Sequence, residues 1–292
     1  MTSLFDREFL RKLEYLHIVS KRAFPGQFRA ERRSRKMGAG LEFADHRAYV
    51  PGDDFRRVDW TAFQRLEKLL LRLFEEEQDL PIYLLVDRSR SMTAGLPSKL
   101  QYARQVAAAL CYIGLAHLDR VTVLAFAGDV VRELPSQRGR GRIFKVFRFL
   151  ADIEPGPSTN LRASFTTFVS RPRARGVAVV ISDFLDPAGF APGLDVLRFF
   201  RHDVFVVHVT TRPEVEPDLR GDLTLVDLET SDTREAAVTP AVLAAYRAVF
   251  LGLCDDLARY FARFRFGYLQ APAERPIEDA ILQVFRQGRF LT

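Results

Sequence analysis

Cysteine is nearly absent: the 292 residues hold two, Cys111 and Cys254. They lie far apart, each inside a helix-like apolar pattern. A disulfide framework or cysteine-built metal knuckle is thereby set aside, and both read as buried reduced thiols. Long hydrophobic runs are missing too. The longest, residues 106–116, is far short of the roughly 20 residues a membrane helix needs. The opening residues mix charges of both signs and show no secretory h-region, so a cytoplasmic protein without a membrane span is expected. Histidine is scattered as His17, His46, His117, His202 and His208, with no two at metal-ligand spacing on one helix. No Ser-His-Asp arrangement, phosphate loop or Gly-x-Gly-x-x-Gly motif is present.

What remains is an ordinary globular composition, 48% apolar and 27% charged, long enough to bury a sizeable core. Lys and Arg exceed Asp and Glu by 43 to 37, a net charge of +6. The excess gathers early, in residues 29–36. Phe24 and Phe28 both precede that run, so it lacks the interleaved aromatics of a base-stacking surface and reads as a solvated basic linker.

Residues 1–79 differ in texture from 80–292, which marks an N-terminal segment before the main domain. Residues 6–18 carry Phe9, Leu10, Leu13 and Leu16 on one helical face. A turn-rich stretch follows, with Pro51-Gly52 as a turn dipeptide and Asp45, Asp53, Asp54 and Asp59 set among Arg47, Arg56 and Arg57. It is either a docking surface or, the preferred reading, a salt-bridged cap with Tyr49, Phe55 and Trp60 packed beneath it. Residues 69–74 read as an extended strand.

From residue 81 strands and helices alternate, the pattern of an α/β fold. We expect a doubly wound, mostly parallel sheet with one antiparallel edge strand. Strands are expected at 81–86, 121–126, 177–181 and 204–209, with 223–228 as the last and 130–134 as the antiparallel partner. Helices are expected from Ser98 (as cap) to 118, at 142–150, 161–169, 195–200, 240–264 and 277–285, with 266–270 a short extended piece.

Ligands in such sheets sit outside the carboxyl ends of the strands, and three loops there carry oxygen donors. Asp87, Ser89 and Ser91 follow the first strand at alternate positions. Thr159 closes the loop of residues 155–160, and Ser182-Asp183 ends the 177–181 strand. Three hydroxyls and two carboxylates are hard ligands suited to Mg2+ (or Mn2+). They leave the ion short of one oxygen, which a partner's Asp or Glu could supply. Arg88 and Arg90 occupy the positions between these donors. Turned outward they would recruit an acidic partner; turned inward they would oppose the cation. Asn160 stands where an acidic residue would strengthen the site.

Asp-x-Ser-x-Ser, a later threonine and an aspartate after a further strand resemble the metal-ion-dependent adhesion site of von Willebrand factor type A domains, over about residues 80–269. The segment 40–60 resembles the signature of the bacterial domain of unknown function fifty-eight family, whose members carry such a domain directly after it. The resemblance implies a von Willebrand factor type A-like fold. It implies that Ser89, Ser91 and Thr159 touch the metal and that Asp87 and Asp183 bind it directly or through water. It also implies a MoxR-type AAA+ ATPase as partner, since family members are commonly encoded beside one. The expected function is a non-enzymatic, Mg-dependent adaptor or substrate recruiter. Its rivals are a metal-dependent phosphohydrolase using Asp87 as nucleophile, which would need a second carboxylate where Ser89 stands, and a basic nucleic-acid binder.

Overall fold

The computed structural model describes residues 5–23, 36–38, 42–51, 53–76, 81–156, 158–229 and 232–286. Two compact units make up the chain: Gly26–Leu80, and a larger one of Met1–Pro25 with Pro81–Thr292. The segment expected at 1–79 is therefore divided. Its helix, α1 (Arg7–Ala23), belongs with the larger unit because its apolar stripe needs a partner: Phe9, Leu13 and Leu16 are buried, and Lys12 pairs with Glu278 at 3.4 Å. The basic run at 29–35 lies outside the described residues.

The smaller unit is an antiparallel sheet of β1 (Lys36–Gly38), β2 (Glu42–Ala48) and β3 (Leu70–Glu76) in the order β1–β3–β2, with helix α2 (Trp60–Leu66) between β2 and β3. Its acidic residues work locally. Asp59 caps α2, its Oδ1 accepting from Thr61 N (3.1 Å) and Ala62 N (3.0 Å), and also holds Arg72 and His46, both at 2.9 Å. Asp53 takes Arg47 through both oxygens, at 2.6 and 2.8 Å. Asp54 caps the turn Phe55–Arg57. The salt-bridged reading of the signature therefore holds, but its aromatic half does not. Phe55 and Trp60 are 65% and 56% exposed; α2 buries none of its residues, and Trp60 meets Phe63 edge to face.

The larger unit is built on β4 (Ile82–Asp87), followed by α3 (Lys99–Ala116), β5 (Val121–Ala127), β6 (Val130–Gln137), α4 (Ile143–Ala151), α5 (Leu161–Ser170) and β7 (Val177–Ser182). The chain continues through α6 (Ala191–Phe199), β8 (Asp203–Thr210), α7 (Arg212–Val215), β9 (Gly221–Val226), β10 (Thr233–Val238), α8 (Pro240–Phe264), β11 (Gly267–Pro272) and α9 (Ile277–Arg286). Six strands form one sheet in the order β11–β8–β7–β4–β5–β6, every pairing parallel except β5 with β6. This is the doubly wound, mostly parallel sheet with one antiparallel edge strand. Strands β4, β5 and β7 are buried along their whole length, as continuous Val/Ile/Leu runs require when helices cover both faces. On one face Tyr83, Leu85, Val180 and Val206 pack with Leu161, Phe165, Leu197 and Phe261. On the other, α3 lies so close that a Cβ on Gly114 would sit 3.1 Å from Ile82 Cδ1.

One strand was misassigned from sequence. The 223–228 stretch is not the last strand of the main sheet: β9 pairs with β10 as a separate hairpin, and Leu225 and Val226 are exposed. The extended piece beginning near Phe266 is that strand, running as β11 parallel to β8. The two cysteines are free thiols, Cys111 buried and Cys254 only partly so.

Candidate metal and partner-binding site

After β4 the chain crosses to β5 on one side, and β7 leads on to β8 on the other. The ends of β4 and β7 therefore flank the point where connections diverge, the place where ligands bind in open α/β sheets. Asp87 is the last residue of β4 and Ser182 the last of β7. Hydrogen bonds tie all three predicted loops together at this point. Ser182 Oγ donates to Asp87 Oδ2 (2.6 Å), Gly156 N to Arg88 O (2.6 Å), and Leu161 N to Asp186 Oδ2 (2.7 Å).

Asp87 is fully buried, and its Oδ1 accepts from Ser89 N at 2.9 Å. The two serine hydroxyls of this loop lie 3.0 Å apart. Burial first, and then the negative charge of Asp183, hold the Asp87 carboxyl well above the usual carboxylate range, against the opposing bonds from Ser182 and Ser89. Thr159 is 3% exposed, and its hydroxyl has no hydrogen-bond partner among the described residues. A buried unpaired hydroxyl is costly. Borne on the loop that Gly156 N ties to Arg88 O, this orphaned hydroxyl suits a cation-binding set that leans on hydroxyls. Among the described residues no group of three or more His, Cys, Asp or Glu side chains is placed to hold a metal ion.

Asn160, where an acid would strengthen the site, instead caps α5, accepting from Ala163 N at 2.9 Å. The backbone is strained next to Asp183: Phe184, buried, has φ 58°, and its N–H donates to Ser182 Oγ at 2.9 Å. Gly156 is demanded by close approach, since a Cβ there would lie 2.6 Å from Ala127 Cβ and 2.8 Å from Arg88 Nη1.

The two arginines part ways. Arg90 is exposed at the head of a 3-10 turn. Arg88 is buried, its Nη1 donating to Glu154 O at 3.0 Å. It therefore buttresses the 154–156 loop and does not face a partner, which corrects its expected partner-binding place; its guanidinium fills the space that Gly156 leaves.

Three residues escaped sequence reasoning. Lys99, in the first turn of α3, is completely buried, with its ammonium 2.7 Å from Asp183 Oδ2 and also paired with Glu214. A cation at a helix N-terminus opposes the macrodipole, so these two carboxylates are what hold it there. Glu214 in turn closes the α7 capping box on Thr211. Glu229, beyond β9, accepts from Thr159 N at 3.4 Å.

Fold and site together define an α/β protein with a hydroxyl-and-carboxylate cluster at the carboxyl ends of its central strands. The chain belongs to the family described as protein of unknown function DUF58, whose model matches residues 45–250. An uncharacterized protein of Mycobacterium tuberculosis is 30% identical over 267 residues, 89% of this chain and 80% of the relative. One from Mycobacterium avium is 36% identical over 110 residues, 36% of this chain and 63% of the relative. Similar solved structures include the conserved hypothetical protein BatB from Bacteroides thetaiotaomicron, with 18% identity, TM-score 0.45, and 71% of this chain and 98% of that one covered. Another is manganese-loaded TRAP protein of Plasmodium vivax, with 15% identity, TM-score 0.39, and 72% and 73% covered. The fold class itself rests on the strand order given above. Among the described residues no helix is long and apolar enough to cross a membrane.

Proposed function

We propose that the chain is a non-catalytic protein-binding module that holds Mg2+ (or Mn2+) on Asp87, Ser89, Ser91, Thr159 and Asp183 and captures an acidic side chain of a partner. The expected partner is a MoxR-type AAA+ ATPase, for which the chain would act as adaptor or substrate recruiter. The unpaired, buried Thr159 hydroxyl carries this reading. The ion, when bound, supplies a coordination position that a carboxylate oxygen of the partner fills.

The chain's own residues prepare the site. Ser182 and the Ser89 N–H fix the Asp87 carboxylate in one orientation. Lys99 neutralises Asp183 from the core side, so Asp183 adds less negative charge to the site than a free carboxylate. Arg90, exposed beside the serines, gives an approaching acid a favourable potential.

Phosphoryl transfer to Asp87 is disfavoured by its surroundings. The second carboxylate such an enzyme would need two residues on is missing, since Ser89 stands there. The test is binding of a purified MoxR-type ATPase, measured with Mg2+ and with a chelator. Capture that disappears on chelation and in Asp87→Ala supports the proposal; capture indifferent to both overturns the metal's part in it.

A further inference from the structure

Glu229 sits in the turn of the β9–β10 hairpin, its N–H donating to Asp227 Oδ1 at 2.7 Å, while Asp227 N closes the turn on Asp232 O at 2.9 Å. The hairpin belongs to no other sheet, and its strands are mostly exposed. Yet its glutamate reaches back 70 residues to the backbone N–H of Thr159, the residue whose hydroxyl is unpaired. Among the described residues that N–H, at 3.4 Å, is the hydrogen bond made to a half-buried carboxylate facing the like charges of Asp183, Asp227 and Asp186. Around the site the carboxylates of Asp87, Asp183, Glu214 and Glu229 stand against two side-chain cations, Lys99 and Arg88. Both cations are already committed, Lys99 to Asp183 and Glu214, Arg88 to Glu154 O. The surroundings of Glu229 are therefore net acidic, the kind of place a divalent cation would relieve. Without such an ion the approach of Glu229 is repulsive; with one it becomes attractive.

We infer that Glu229 is a built-in acidic ligand of this site, standing where a partner's carboxylate would bind and having to be displaced by it. The inference rests on the metal-site reading of the proposed function. It makes the hairpin a competitor in cis: an acid tethered by a short turn competes at an effective concentration in the millimolar range. Capture of a partner is then weakened by the fraction of time the site is already filled.

The test uses the full chain with Mn2+ as the metal and acetate as the external acid, followed by water-proton relaxation of the bound ion. Glu229→Gln and Glu229→Ala are compared with the unaltered chain; the position is half-buried in a turn, so neither change opens a core. In the unaltered chain the bound ion should carry fewer exchanging waters and respond little to acetate. In both variants relaxation should rise, and acetate should act at concentrations lower by on the order of tenfold. Equal relaxation and equal acetate response in all three proteins, with Mn2+ bound, would overturn the role of Glu229 and leave the metal site standing. Failure of Mn2+ to bind any of them would overturn the metal reading and this inference together.

Discussion

Replacing Lys99 by methionine tests how the site is held from below. The ammonium is completely buried and lies against Asp183, which is 2% exposed, and Glu214, which is 19% exposed. Methionine keeps the volume and removes the charge, leaving one carboxylate uncompensated in the interior and a second near its edge. Removing one partner of a buried pair costs about 3–5 kcal/mol. Because Glu214 can regain some solvent, a value near the lower end, about 3 kcal/mol, is expected. Although burial alone would lower the lysine pKa, the charges of Asp183 and Glu214 outweigh it and raise the pKa above 10.5. A raised folded value means a contribution fully present below 10.5 and lost as pH rises through that folded value. Guanidinium unfolding of Lys99→Met should therefore show an undiminished deficit across neutral pH, narrowing only in strong alkali. Asp183→Asn should cost far less in the Lys99→Met background than alone, since the two changes share one interaction. A deficit under about 1 kcal/mol, or strictly additive costs, would refute the account of Lys99 as the counter-charge of Asp183.

Burial lowers the His208 pKa from 6.5 to about 4, so the unfolded chain binds the proton first and stability is lost as pH falls through 6.5 toward 4. His208→Phe should remove about 2 kcal/mol of the stability difference between about pH 7 and about pH 5, read from guanidinium midpoints. Gly156→Ala should destabilise by about 1–3 kcal/mol through overpacking against Ala127 and Arg88, seen as a lowered melting temperature. Asp59, held far below the usual carboxylate range chiefly by Arg72 and then by His46, contributes stability present above 3.8 and lost as pH falls. Amide protection factors in β2 and β3 should fall in acid, and Asp59→Asn should show that loss already at neutral pH.

Local patterns carried much of this fold. Ser98 caps α3 through Gln101 N, as its place before an apolar run indicated, and Pro240 opens α8 at the residue expected. Placing the oxygen donors in loops after strands was legible because ligands in such sheets lie at the strands' carboxyl ends, and hydrogen bonds join those loops. Partner choice between distant strands was harder to read. Leu223 and Leu225 alternate like a half-buried strand, yet alternation says nothing of which strand pairs with which, and β9 found β10. Lys99 carries no local signal of its place, because its burial depends on Glu214, 115 positions away. Whether Arg88 turns inward or outward was open from sequence, because nothing local reveals that Gly156 leaves room for its guanidinium. Phe55 and Trp60 were expected beneath the signature on hydrophobicity alone, and a two-turn helix with no buried face could not cover them.

Titration of Mn2+ into the intact chain and Thr159→Ala, paired with their unfolding curves, tests the central claim most directly. Removing an unsatisfied buried hydroxyl should leave the fold as stable or slightly more so, while Mn2+ affinity falls at least on the order of tenfold. Equal affinity in the two proteins, or no binding to either, would contradict a cation held at these three loops.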